Sequence, residues 1–149
     1  METLEEPLAG EVIATALPGK FATLLRTAGH RWIGDEAVAL GGQDDGPDPY
    51  AMLLGALGAC TGMTIRLVAE REGMALDDVE VRLRHDRNHA KDCDHCLEEK
   101  TRVEAIFRTI RLTGDLNAAE RARLMEVADR CPVHRTLTGT LHVHTTVEE

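Results

Sequence analysis

The chain has 149 residues, enough for one domain with a sizeable core and too few for two large ones. Seventeen Lys and Arg against 26 Asp and Glu leave a net charge of -9, which disfavours nucleic acid and anionic membrane surfaces as partners. The acidic opening METLEEPLAGEV lacks the basic region and apolar stretch of a secretory signal, so the expected compartment is the reducing cytoplasm and the cysteines are expected to be free thiols.

In chain order, EVIATAL and FATLLRTAGHRW predict two strands of a hairpin around the turn pair Pro18-Gly19. GDEAVALGGQDDGPDPY is a polar connection leading into a helix, with Asp48 as its cap and Pro49 in the first helical position, where a missing N–H is harmless. That helix is predicted from Pro49 to about Glu72, ending at Gly73. Its uncharged run, Pro49 to Ile65, spans roughly 25 Å, short of the ~30 Å hydrocarbon core, so a buried helix of a soluble domain is expected rather than a membrane span. Leu53, Ala56, Leu57, Cys60, Met63, Thr64 and Leu67 share one side at helical spacing, while Leu54, Gly58, Ile65 and Val68 cover the other, which predicts burial nearly all round. Gly58 and Gly62 flank Cys60 and leave room for another backbone, or for a reagent, at that level.

DDVEVRLRHD alternates Val79, Val81 and Leu83 with charged neighbours, the period of a half-buried strand. TRVEAIFRTIRLTGD reads as a further strand with a less regular pattern. NAAERARLMEVADRC is a second helix, with Asn117 and Glu120 as a capping-box variant and Leu124, Val127, Ala128 and Cys131 on one stripe; Pro132 is expected to stop it. TGTLHVHTTV alternates again and predicts a last strand. With no repeat or linker, the fold class is α+β in a single domain, 1–149.

The chemistry rests on the four cysteines, Cys60, Cys93, Cys96 and Cys131. An isolated buried Cys is commonly a small hydrophobe. Cys131, however, lies on an apolar stripe that should enter the same core as Cys60, so the two can form a redox pair or be unrelated core residues. Placed in the last turn of a helix, Cys131 would face partial negative charge that disfavours a thiolate unless His134 or Arg135 offsets it. Cys60 is therefore the expected nucleophile and Cys131 the resolving thiol.

GPDPYAMLLGALGACTGMT, followed by a strand-rich stretch and LMEVADRCPVHRTL, resembles the OsmC/Ohr family of osmotically inducible and organic hydroperoxide resistance proteins, most closely its branch with GACTxMT and CPVHRTL. The resemblance implies antiparallel sheets around a long central apolar helix, in an intertwined homodimer with its active sites at the interface. It also implies thiol-dependent reduction of organic hydroperoxides, with no bound cofactor and an external dithiol as reductant. In family peroxidases an Arg pairs with the reactive Cys and with a Glu ten residues before it. Here the Glu position is Tyr50, and the Arg position, laid loosely on ATALPGK, is Lys20. Lys supplies the charge without the planar two-pronged donor. Arg26, His30 and Arg31 are other candidate cations, with Asp35 and Glu36 close by in sequence.

RHDRNHAKDCDHCLEEK adds a C-x-x-C, Cys93 and Cys96, whose spacing suits a redox dithiol or half a zinc site. His85, His89 and His95 could complete such a site, and His142 and His144 share a face of the last strand. Two functions follow: a thiol peroxidase using Cys60 and Cys131, or a non-enzymatic ligand- or metal-binding protein using the Cys/His loop 85–96.

Overall fold

The computed structural model describes residues 4–87 and 104–148. Its elements are an α+β set: β1 (Ile13–Ala16), β2 (Thr23–Thr27), β3 (His30–Gly34), a 3₁₀ turn (Val38–Leu40), α1 (Pro49–Arg71), β4 (Ala75–Asp86), β5 (Ala105–Asp115), α2 (Ala118–Ala128) and α3 (Pro132–Thr138). They divide into two compact units, residues 1–53 and 54–149, with α1 passing from one into the other.

In the first unit β1, β2 and β3 form an antiparallel sheet in that order. The segment expected as a single strand over 21–32 is two strands. Gly29, at φ +86°, takes a backbone conformation costly to other residues and reverses the chain so that Thr27 pairs with His30 and Leu25 with Trp32. After β3, the buried carboxylate of Asp35 accepts backbone N–H bonds from Glu36 at 2.8 Å, Gln43 at 3.1 Å and Asp45 at 3.2 Å. The polar connection is thereby wound around one side chain. As expected, Asp48 caps α1, accepting from the Ala51 N–H at 2.9 Å, and Pro49 opens the helix. The Trp32 indole N–H donates to Met52 Sδ at 3.1 Å in the first turn of α1. Arg26 is also buried here, donating through Nη1 to the Glu5 carbonyl at 2.8 Å.

The second unit is built on a long antiparallel ribbon, β4 paired with β5, in which Val81 faces Ile110 and Leu83 faces Arg108. A bulge between Leu76 and Asp78 lets the ribbon bend beside Gly114, whose φ of +145° suits only glycine. The core is Ile65 and Ala69 of α1 with Leu124 and Ala128 of α2 and Leu116, ringed by Val79, Ile110 and Leu112 from the ribbon. The capping box is formed: Asn117 accepts from the Glu120 N–H at 2.8 Å, and Glu120 returns a bond to the Asn117 N–H at 2.9 Å. At the far end of α1 the Arg123 guanidinium grips Glu72 at 2.9 Å, and that bond holds the Glu72 carboxyl below its ordinary value. Gly73, at φ +68°, then ends the helix as expected.

Four expectations are corrected. Within the chain α1 is not buried all round: its buried residues are Leu57, Thr61, Ile65 and Ala69, a single i, i+4 stripe, while Met63 and Leu67 are 66% and 54% exposed. Nor is it too short for a bilayer, since the 23-residue helix continues past Ile65 and is long and apolar enough to cross one by length and composition. The second helix stops at Ala128, and Pro132, instead of stopping a helix, opens α3. The closing stretch 140–148 forms no strand; its Leu141, Val143 and Val147 are exposed, because no strand edge of the described chain pairs with it.

Asp35 gives a pH-dependent contribution to stability. Burial alone would raise its carboxyl, but the three backbone donors outweigh burial and hold it below its ordinary 3.8. Its contribution is therefore complete above the unfolded value of about 3.9 and is lost as pH falls through the lower folded value. Asp35→Asn, which presents an amide to three donors, is expected to lower the thermal midpoint at pH 7 and to narrow the gap between midpoints at pH 7 and pH 3. Calorimetry at the two pH values checks both; an unchanged gap refutes the assignment.

Candidate functional site

The thiol site is assembled in the second unit from α1, β5 and the α2–α3 junction. Cys60 is half-buried on α1, and its carbonyl accepts the Thr64 hydroxyl at 2.8 Å. Two residues before it, Gly58 lets β4 pack closely on α1: a Cβ there would stand 2.8 Å from Leu83 Cδ1. The close approach that the glycines were expected to permit is thus made by side chains of β4, Leu83 at Gly58 and Val79 at Gly62, rather than by a second backbone.

Cys131 is fully buried and lies outside the last turn of α2. It is the N-cap of α3, and its Sγ accepts the His134 backbone N–H at 3.3 Å. The expectation that it meets the negative end of a helix is reversed, because α2 ends three residues earlier and the chain turns before Pro132. Both cysteines are free thiols.

The Cys131 sulfur lies 3.8 Å from Thr61 Oγ1, the residue after Cys60, and Thr61 is part of a polar chain that sequence reasoning missed. The Thr61 hydroxyl donates to the Leu57 carbonyl at 2.7 Å. Arg108 Nη1 donates to Thr61 Oγ1 at 3.0 Å and to the Ala128 carbonyl at 3.3 Å, while Nη2 pairs with Asp129 at 2.8 Å. With its one proton committed to Leu57 and one lone pair to Arg108, the Thr61 oxygen keeps a lone pair for the Cys131 S–H. Cys131 is thereby held at both ends, as donor to Thr61 and acceptor from His134.

The signal for Arg108 was in the strand whose pattern looked irregular. In the register with β4, Arg108 stands opposite Leu83, on the face where Ile110 and Leu112 meet the core, and its side chain is only 12% exposed. A charge at an inward position of an alternating strand requires fixed partners. Thr61, a hydroxyl on the buried stripe between Leu57 and Ile65, is the matching signal on α1.

Lys20 and Tyr50 belong to the first unit: the Lys20 ammonium sits 5.0 Å from the Phe21 ring centroid, and Tyr50 is 38% exposed in the first turn of α1. Cys93, Cys96, His89 and His95 lie outside the described residues. Among the described residues no three His, Cys, Asp or Glu side chains group as a metal site would require. His85 pairs with Glu104 at 3.7 Å, and the rings of His142 and His144 lie 6.4 Å apart on the exposed closing stretch rather than on a strand.

Residues 42–146 match the model of the family described as OsmC-like protein. No curated protein matches the chain. Among solved structures, an OsmC-like protein from Mycoplasma pneumoniae is similar over 87% of this chain and 86% of its own, at 18% identity and TM-score 0.69. An organic hydroperoxide resistance protein from Legionella pneumophila, also described as a predicted redox protein, is similar over 93% of both chains at 21% identity and TM-score 0.60. The organic hydroperoxide resistance protein OhrB of Bacillus subtilis is similar over 87% of this chain and 90% of its own, at 18% identity and TM-score 0.56. At these identities the likeness is one of fold.

The difference in burial between the two thiols has a direct readout. In the native, reduced protein a bulky maleimide is expected to label Cys60 on the order of tenfold or more faster than Cys131, with Cys131 catching up only in denaturant. Peptide mass spectrometry over a labelling time course measures it; equal rates refute the described burial.

Proposed function

Because the chain belongs to the OsmC-like protein family, we propose that it is a thiol-dependent peroxidase reducing organic hydroperoxides through Cys60 and Cys131. The observation that supports this most is local: a half-buried thiol on α1, with a second, fully buried thiol seated against the next residue along that helix. In the first half-reaction the Cys60 thiolate attacks the distal oxygen of the hydroperoxide. The O–O bond breaks, the alcohol leaves with a proton, and Cys60 becomes a sulfenic acid. In the second, the Cys131 sulfur attacks the Cys60 sulfur, the S–O bond breaks, and water leaves as the disulfide forms. An external dithiol then returns both residues to thiols by exchange.

By its place in the sequence Lys20 stands where the family's Arg would, with Tyr50 at the position of the family's Glu. A point charge instead of a guanidinium fork predicts a slower enzyme than members bearing the Arg. No bound cofactor is required, and the reducing cytoplasm is the compartment in which such a dithiol supply exists.

We further propose that the working form is a homodimer. The exposed Met63 and Leu67 on α1 and the unpaired, alternating Leu141 and Val143 are apolar surface that a second copy would cover. Size-exclusion chromatography with light scattering is expected to give twice the chain mass of 16.3 kDa, and Leu67→Glu to shift the protein toward monomer. A monomeric parent protein would overturn this part of the reading.

For the chemistry, the reduced protein is treated with one equivalent of an alkyl hydroperoxide and mapped by mass spectrometry. A Cys60–Cys131 disulfide is expected, with sulfenic acid trapped at Cys60 in Cys131→Ser and no consumption of peroxide at that site in Cys60→Ser. No oxidation, or oxidation confined to Cys93 and Cys96, would sink the peroxidase assignment in favour of a ligand- or metal-binding role for the loop 85–96.

A further inference from the structure

Arg108 lies outside the family's thiol, Arg and Glu set, yet it is the charged group built into the core beside Cys131. We propose that Arg108 is a positioning residue for the resolving step, setting the Cys131 sulfur through the Thr61 hydroxyl so that it is aimed for attack on an oxidised Cys60. The proposal rests on the peroxidase reading for its reaction, and on the hydrogen-bond chain for its geometry.

The chain has a definite direction. Arg108 carries donors only, so at Thr61 it must take a lone pair of Oγ1. That lone pair is fixed because the same guanidinium is anchored twice more, to the Ala128 carbonyl at 3.3 Å and to Asp129 at 2.8 Å. The Thr61 proton is drawn the other way, to Leu57 O at 2.7 Å. The oxygen cannot then turn its proton toward sulfur without giving up a short bond, so it acts as acceptor for the Cys131 S–H at 3.8 Å. His134 N–H holds the opposite side of Sγ at 3.3 Å. Removing Arg108 takes away one of the two bonds that hold the Thr61 oxygen, leaving only that to Leu57 O, and so loosens one of the two contacts on the sulfur.

The cost of this arrangement argues that it does more than fill space. A guanidinium at an inward strand position gives up hydration that an Ile or Leu would not, and its carboxylate partner Asp129 is 71% exposed, a weak return on that loss. An aliphatic residue would pack the Ile110 and Leu112 face more cheaply. What only the guanidinium supplies is a fixed donor to Thr61 beside Cys131. The resolving step gains from it because that step needs two sulfurs brought to bonding distance along one line.

The test uses the full-length chain with Cys93 and Cys96 replaced by Ser, so that two thiols report. After one equivalent of cumene hydroperoxide, samples are quenched over time and Cys60 is partitioned by mass spectrometry between dimedone-trapped sulfenic acid and disulfide with Cys131. Arg108→Gln and the near-isosteric Thr61→Val are expected to slow the sulfenic-to-disulfide step by about tenfold, the equivalent of one ordinary hydrogen bond, and to accumulate sulfenic acid. Thr61→Ser is expected to recover most of the rate, which loss of packing alone would not predict, whereas Arg108→Lys, lacking the fork, is expected to recover only part of it. Disulfide formation at the parent rate in Thr61→Val, or Thr61→Ser as slow as Thr61→Val, would overturn the proposal. If the parent forms neither sulfenic acid at Cys60 nor a disulfide with Cys131, it is the peroxidase reading that fails. The positioning claim is then read with Cys60 also replaced by Ser, as the rate at which methyl methanethiosulfonate modifies Cys131. Arg108→Gln is expected to raise that rate about threefold or more by loosening the sulfur, and equal rates would overturn the claim.

Discussion

A guanidinium turned into a core must find acceptors that do not move, and in this protein that requirement ties together the elements that carry the thiols. Arg108 on β5 reaches Thr61 on α1, the Ala128 carbonyl at the end of α2 and the Asp129 side chain just beyond it. Burying such a group without partners costs several kcal/mol, so the register of β5 on β4, the rotation of α1 and the end of α2 are mutually constrained. Cys131 inherits its position from that junction. The helix on which Cys60 sits is oriented by the same contact, through its neighbour Thr61.

Around this polar chain the packing is ordinary and narrow. Leu57, Thr61, Ile65 and Ala69 form a stripe one residue wide, with Ile65 and Ala69 packed against Leu124 and Ala128. A 23-residue apolar helix with so little of its surface covered leaves Met63 and Leu67 exposed. Gly58 belongs to the same logic: Leu83 occupies the space its side chain would need, which lets β4 pack closely on α1.

The charge distribution separates roles in a similar way. On the other face of the ribbon Glu80 pairs with Arg82 at 2.6 Å and with Arg111 at 2.7 Å, and Arg84 lies 4.3 Å from the Phe107 ring centroid. These solvent-facing contacts contribute little each, because water competes for every partner. Arg108 differs from them in facing the core, and that difference gives it a structural consequence the surface arginines lack. An overall charge of -9 therefore says nothing about a cation buried beside Cys131.

Local chemistry was legible in the sequence wherever a few consecutive residues set the outcome. Asp48 with Pro49, the Asn117–Glu120 box, the stop at Gly73 and the alternation of Val79, Val81 and Leu83 are short-range features, and the chain adopts each of them. The apolar helix and the Cys-Pro pair likewise resembled the OsmC-like family, and the family model matches residues 42–146, which contain both. Tertiary structure alone decided the rest. The turn at Gly29 splits what reads as one strand by a backbone angle, and α2 stops before Cys131 although its apolar stripe runs on. The partners of Arg108 lie 47 and 20 residues away, beyond any periodicity. Which apolar face of α1 is buried, and whether a cysteine ends one helix or begins the next, depend on what packs against them, and one strand's alternation carries no record of its partners.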